Sequence, residues 1–137
     1  MNDELDFEKW EAAIGKLILA CSRVEYELMR LYDKWLPDRV YHEDAYLSRF
    51  DKSIGVAKQS LTNGYMIAEL LVQMKRAANI RHLVAHNPIH YSSETDSFHI
   101  FDLKTNKDSV CLNDLLSISE SVGNISIDLA CQLRINV

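Results

Sequence analysis

Residues 7–35 read FEKWEAAIGKLILACSRVEYELMRLYDKW, and this stretch decides the fold. Apolar side chains recur along it at alternating spacings of three and four residues, which is typical of one face of an α-helix. They are Phe7, Trp10, Ile14, Leu17, Cys21, Val24, Leu28, Leu31 and Trp35. We predict one helix of about 30 residues, roughly 45 Å long, that ends before Pro37. Such a stripe is expected to pack in the core of a helical bundle, and it could also pack against a second copy of the chain.

Two further helices are expected before residue 88. A shorter one within residues 38–60, interrupted near Asp51–Ser53, is indicated by Tyr41, Tyr46, Phe50, Ile54 and Ala57. Asn63-Gly64 is a turn signal. The third helix runs from about Tyr65 to His86, with the apolar stripe Ile67, Leu70, Leu71, Met74, Ala77 and Ala78. Pro88 stops it, because proline lacks a backbone N–H and disfavours helical geometry at Asn87.

The pattern changes to strands after Pro88. Ile89–Tyr91 and Phe98–Leu103 predict two short strands around the polar turn 92–97, and Asn106–Ser109 predicts another polar turn. The last helix is expected over about Asn113 to Leu133. The fold class is therefore mainly all-α, an up-and-down helical bundle with a short β-hairpin (about 88–104) before the last helix. We expect one domain, 1–137.

Composition excludes several classes of protein. The net charge of −5 provides no global basic field, so any binding of a polyanion must come from a local patch. Three widely spaced cysteines suggest neither a disulfide framework nor a thiolate zinc site. The first six residues are acidic and resemble no signal peptide, and no apolar run reaches membrane-spanning length. We expect a cytoplasmic protein that does not contact a membrane.

Residues 79–88, Asn-Ile-Arg-His-Leu-Val-Ala-His-Asn-Pro, carry the candidate chemistry. Arg81 continues the apolar stripe of the third helix, and a buried arginine needs anions or acceptors to offset its desolvation. No acidic residue lies between Leu70 and Ser93. The same segment holds Lys75, Arg76, Arg81, His82, His86 and His90. This local bias predicts an anion site.

A guanidinium and two imidazoles suit metal-free cleavage of RNA. Histidine transfers protons near neutral pH, and arginine stays charged while it donates paired hydrogen bonds to a phosphate. On a regular helix, however, Arg81 and His86 point roughly 140° apart. Either the last helical turn loosens ahead of Pro88, or two copies of the chain share the site.

The segment Arg81-His82-Leu83-Val84-Ala85-His86 matches the R-x(4–6)-H motif of HEPN domains, and the sequence resembles that family in its helical setting too. The resemblance implies a metal-independent endoribonuclease that acts as a homodimer, in a toxin–antitoxin or phage-defence system. It implies Arg81 and His86 as catalytic residues, with His82 in support. We further expect Asn87, Lys75 and Arg76 to contact the RNA, a cognate antitoxin protein as partner, and no metal or cofactor.

Other interpretations remain open. One is a catalytically inactive HEPN-like module that binds nucleotides, RNA or another protein. Arg81 would then tie helices together through a carboxylate such as Glu25, and His86 would simply cap the helix dipole. A metal site is a further alternative, since His82, His86 and His90 recur every four residues. Against it, Pro88 takes His90 off the helix, and position 83 is Leu83, where a zinc-protease motif needs glutamate.

Overall fold

The computed structural model describes residues 3–136, and the side chains of residues 7–136. Its elements, in chain order, are α1 (Asp3–Trp35), a short 3-10 helix (Tyr41–Glu43), α2 (Tyr46–Ser60), α3 (Gly64–His86), β1 (Ile89–Ser92), β2 (Ser97–Asp102), β3 (Lys107–Cys111) and α4 (Leu112–Ile135). This order confirms a mainly helical fold with a β-hairpin before the last helix. No helix in the described range is both long enough and apolar enough to cross a membrane.

Helix α1 is the central element of the bundle, as its apolar stripe predicts. From Trp10 to Leu31 the stripe is buried, apart from the half-buried Ile14. Phe7 is 47% exposed, because it lies at the end of the bundle, where its ring contacts the ring of Phe98 in the sheet. The helix ends at Trp35, ahead of Pro37, as expected.

Helix α2 is continuous, so the predicted interruption near Asp51–Ser53 is wrong. Ser53 is fully buried, and its hydroxyl donates a 2.8 Å hydrogen bond to the carbonyl of Arg49 one turn earlier. A serine that bonds back to its own helix satisfies its polar group without breaking the helix. Polar residues in the middle of α2 therefore do not mark a break.

The sheet contains a third strand where a polar turn was predicted at Asn106–Ser109, and that prediction is wrong. β1, β2 and β3 form an antiparallel sheet in that order, and β3 pairs Lys107 with Asp102 and Asp108 with Phe101. The turn begins three residues earlier than predicted, at residues 103–106, where Asn106 adopts a left-handed φ of 57°. The first three residues of β3 are exposed, so this edge strand lacks the apolar alternation that identifies strands in a sequence.

Two buried polar residues fix α4 beside α1. Glu27 is fully buried, and its Oε1 accepts a 2.7 Å hydrogen bond from Arg134 Nε. Asn136 joins three elements: its backbone carbonyl accepts hydrogen bonds from Lys34 and Trp35, and its side-chain Oδ1 accepts one from the backbone N–H of Thr62. These bonds set the end of α4 against the end of α1 and the α2–α3 turn.

A close approach at Gly64 joins α2 to α3. A Cβ atom added at this position would lie 1.9 Å from the backbone carbonyl oxygen of Ala57. Asn63 precedes it with a left-handed φ of 58°, in the short turn between the two helices. The antiparallel packing of the two helices therefore requires glycine at position 64.

We expect Gly64→Ala and Gly55→Ala to change stability in opposite directions. The first should lower the free energy of unfolding by about 1–3 kcal/mol, because backbone must shift to admit the methyl group. Gly55 lies inside α2, where an added Cβ would meet no atom within 4 Å beyond the neighbouring backbone of its own helix, and its replacement should raise stability by about 0.5–1 kcal/mol. Urea denaturation followed by circular dichroism measures both, and a neutral Gly64→Ala would contradict the close approach.

Candidate functional site

The predicted motif occupies the last two turns of α3, which remain regular through His86. The loosened last turn is therefore not observed. Arg81 borders a small pocket of about 170 Å³ with Ile14, Leu17, Ile18, Val84 and Ala85. His82 and His86 border a different pocket, of about 380 Å³, which we call the histidine pocket. Within one chain the structure separates Arg81 from the two histidines.

Arg81 is half-buried and stacks on an aromatic ring. Its guanidinium carbon lies 5.3 Å from the centroid of the Tyr46 ring. No carboxylate among the described side chains lies within 4 Å of it, and Glu25 instead pairs with Arg49 at 3.4 Å. The interpretation that Arg81 bonds to Glu25 is therefore wrong. Burial raises the pKa of the adjacent Cys21 thiol to about 11, although the positive charge of Arg81 acts in the opposite direction.

His82 and His86 lie side by side on one face of α3, with ring centroids 4.5 Å apart. Residues four apart on a helix are neighbours, so this pairing follows directly from the sequence spacing. Both rings are exposed. The pair therefore presents imidazole groups to whatever enters the histidine pocket, whose other lining residues are Asn79, Leu83, Asn87, Asp102, Leu103 and Lys104.

Asn87 connects α3 to the sheet. Its Nδ2 donates a 2.8 Å hydrogen bond to the carbonyl of Leu83, and its Oδ1 accepts a 2.9 Å hydrogen bond from the backbone N–H of Leu103. The first bond satisfies one of the carbonyls left free at the end of a helix. The second holds the turn at residues 103–106 against α3. Asn87, which is expected to contact RNA, lines the histidine pocket, and both ends of its amide are bonded to the backbone that forms the pocket wall.

Two predicted RNA contacts lie away from the histidine pocket. Lys75 Nζ forms a 2.8 Å ion pair with Asp51. Arg76 borders a separate groove between α3 and α4. It precedes His86 by ten residues, or about 15 Å along the helix. The structure therefore does not bring Lys75 and Arg76 to the site.

Two pocket residues, Asp102 and Lys104, were not identified from the sequence, and Asn79 was included in the 79–88 segment without a role of its own. Asp102 Oδ1 accepts a 2.9 Å hydrogen bond from the backbone N–H of Lys104, so the carboxylate shapes the turn that carries the lysine. The only signal in the sequence is a polar segment that follows a predicted strand. That signal does not show which end of the sheet faces α3.

The three histidines considered as metal ligands do not come together. His90 lies on β1, and its ring packs against Phe101 with a centroid distance of 5.6 Å. Within the described part of the chain, no group of three or more His, Cys, Asp or Glu side chains is placed to hold a metal ion.

No protein-family model, curated protein or solved structure matches this chain. The likeness to HEPN domains therefore depends on residues 81–86 and on their position at the end of a bundle helix.

We expect Asn87→Ala to lower the free energy of unfolding by about 1–3 kcal/mol, because two hydrogen bonds are lost and their backbone partners stay unpaired. Hydrogen exchange at the Leu103 amide should accelerate. The matched control is Asn79→Ala, an exposed asparagine of the same pocket, with an expected change within about 0.5 kcal/mol. Equal stability of the two variants, measured by urea denaturation, would contradict the positioning role of Asn87.

Proposed function

We propose that this protein is a metal-independent endoribonuclease of the HEPN type, active as a homodimer and serving as a cytoplasmic toxin or phage-defence effector. The observation that carries the proposal is the His82–His86 pair at the histidine pocket, with Arg81 nearby on the same helix and without a described acidic partner. A toxin of this kind would have a cognate antitoxin protein as its partner.

The reaction needs two proton transfers and one cation. A histidine acting as base removes the proton of the 2′-hydroxyl, whose oxygen attacks the neighbouring phosphorus. The bond from phosphorus to the 5′ oxygen breaks, and a histidine acting as acid protonates that oxygen. Arg81 stabilises the charge that develops on the phosphate oxygens. The products are a 2′,3′-cyclic phosphate end and a 5′-hydroxyl end.

A homodimer resolves the separation of Arg81 from His86. When two copies of one helix pack antiparallel, a pairing that brings Arg81 to His86 of the second copy also brings His82 to Ala85 of the second copy. Ala85 is small and exposed, and it borders the open pocket between α1 and the end of α3. The last turn of α3 thus offers a face on which such a contact can form.

A non-catalytic module that binds nucleotides, RNA or another protein is the second candidate. The stacking of Arg81 on Tyr46 favours it, because a guanidinium that packs against a neighbouring helix can serve structure alone. This candidate predicts no cleavage, together with a loss of stability in Arg81→Ala.

We expect the purified protein to cleave a mixed RNA pool in EDTA and to leave 2′,3′-cyclic phosphate ends. His86→Ala should lower the rate by about 10²-fold or more, the usual contribution of general acid–base catalysis. His42→Ala is the control, because His42 is exposed on the short 3-10 helix, outside the histidine pocket. Circular dichroism verifies that each variant is folded. Intact RNA in the presence of folded, dimeric wild-type protein would refute the ribonuclease and favour the second candidate.

A mixture of two inactive variants tests whether the site is shared. Arg81→Ala and His86→Ala, refolded together, should recover about a quarter of wild-type activity, because half of the random dimers are mixed and each has one complete shared site. Co-refolding Arg81→Ala with an Arg81→Ala, His86→Ala double variant is the control and should recover nothing. An inactive first mixture that size-exclusion chromatography shows to be dimeric would mean that Arg81 and His86 do not act across the dimer.

A further inference from the structure

The turn between β2 and β3 is held rigidly against the histidine pocket. Its first residue, Leu103, donates its backbone N–H to Asn87 Oδ1 at 2.9 Å. Asp102 closes the turn from the other side: its Oδ1 accepts the N–H of Lys104 at 2.9 Å, and its backbone carbonyl accepts the N–H of Asn106 at 2.8 Å. The backbone of Lys104 is therefore fixed relative to α3.

Lys104 brings a permanent positive charge to this pocket. Among the described residues that line it, Lys104 is the one lysine or arginine, and it shares the lining with His82 and His86. Lys107 has the same charge and exposure, but it belongs to β3 and lies outside the lining. The β2–β3 hairpin thus carries two exposed lysines, of which Lys104 lines the histidine pocket and Lys107 does not.

We infer that Lys104 is a substrate-binding residue that holds an RNA phosphate over the His82–His86 pair, and that the β2–β3 turn is the element that recognises the RNA backbone. This inference rests on the proposed function, because RNA supplies the phosphate. It replaces Lys75 and Arg76 as the backbone contact, since Lys75 is paired with Asp51 and Arg76 faces another groove.

Asp102 allows a second test of whether charge in the histidine pocket controls the affinity for phosphate. Its carboxylate lines the same pocket and opposes the binding of an anion. Asparagine at this position keeps the oxygen that accepts the Lys104 N–H and removes the charge. Loss of the lysine and loss of the aspartate should therefore change phosphate affinity in opposite directions, which a merely structural role of the turn does not predict.

The probe is a short single-stranded 2′-O-methyl RNA of mixed sequence, which has the phosphates but no 2′-hydroxyl to react. Fluorescence anisotropy measures its dissociation constant over a salt series. Lys104→Gln should weaken binding about tenfold at low salt and make the slope of log affinity against log salt shallower by about 0.7, the value for one phosphate contact on a single strand. Lys104→Arg should bind as wild type does, Lys107→Gln should be unchanged, and Asp102→Asn should bind more tightly.

Equal effects of Lys104→Gln and Lys107→Gln, no effect of either, or no binding by the wild type would overturn the inference. The proposed function is tested separately on ordinary RNA in EDTA. Binding that depends on Lys104 without cleavage would sustain the phosphate site and refute the ribonuclease. Cleavage by the wild type, with binding of the 2′-O-methyl RNA unaffected by Lys104→Gln, would sustain the ribonuclease and refute the role of Lys104.

Discussion

The side-chain amide of Asn87 is the contact on which the candidate site depends. Proline at position 88 ends α3, and the chain must then turn into the sheet. Asn87 fixes the direction in which the chain leaves the helix. Its Nδ2 donates to the carbonyl of Leu83 in α3, and its Oδ1 accepts the backbone N–H of Leu103 next to the sheet. Phe101 adds a second tie, since its N–H donates to the carbonyl of Pro88 at 2.8 Å. These bonds hold the sheet against the end of α3, and the histidine pocket is lined by residues of α3 and of the adjoining β2–β3 segment.

A second set of polar contacts lies at the end of the bundle opposite the sheet. Glu27 with Arg134, and Asn136 with Thr62, Lys34 and Trp35, fix the relative positions of the helix ends farthest from the sheet. In α4, Ser119 and Ser126 are buried and donate to carbonyls of their own helix, so they add no unpaired hydroxyl to the α1–α4 interface. Buried polar groups thus set the register of the helices, while apolar stripes supply most of the burial.

Helices that bury one apolar face could be predicted from the sequence, because that face appears as a regular spacing of apolar residues. Contacts between segments distant in the sequence could not. The stripe of α1, the stop at Pro88 and the hairpin that follows are local consequences of side-chain periodicity and proline geometry. β3 was missed because its exposed residues, such as Lys107 and Asp108, pair through the backbone alone. Lys104 was missed for a related reason: only the three-dimensional packing of the sheet on α3 places it in the same pocket as His82 and His86. The alternative in which Arg81 ties helices together through a carboxylate such as Glu25 is not observed, since Glu25 pairs with Arg49.

The stacking of Arg81 on Tyr46 does not compete with binding of a phosphate. A cation–π contact is made with the face of the aromatic ring and uses no oxygen acceptor, so it does not take up the hydrogen-bonding capacity of the five guanidinium N–H donors. Those donors can therefore bond to phosphate oxygens while the Tyr46 ring holds the arginine side chain in place. Stacking also reduces the freedom that a long side chain would lose on binding, which lowers the entropic cost of holding a ligand. Because α3 is regular, His86 points away from the donors of Arg81 in the same chain. For Arg81 and His86 to act on one phosphate, one of them must come from the α3 helix of a second copy of the chain.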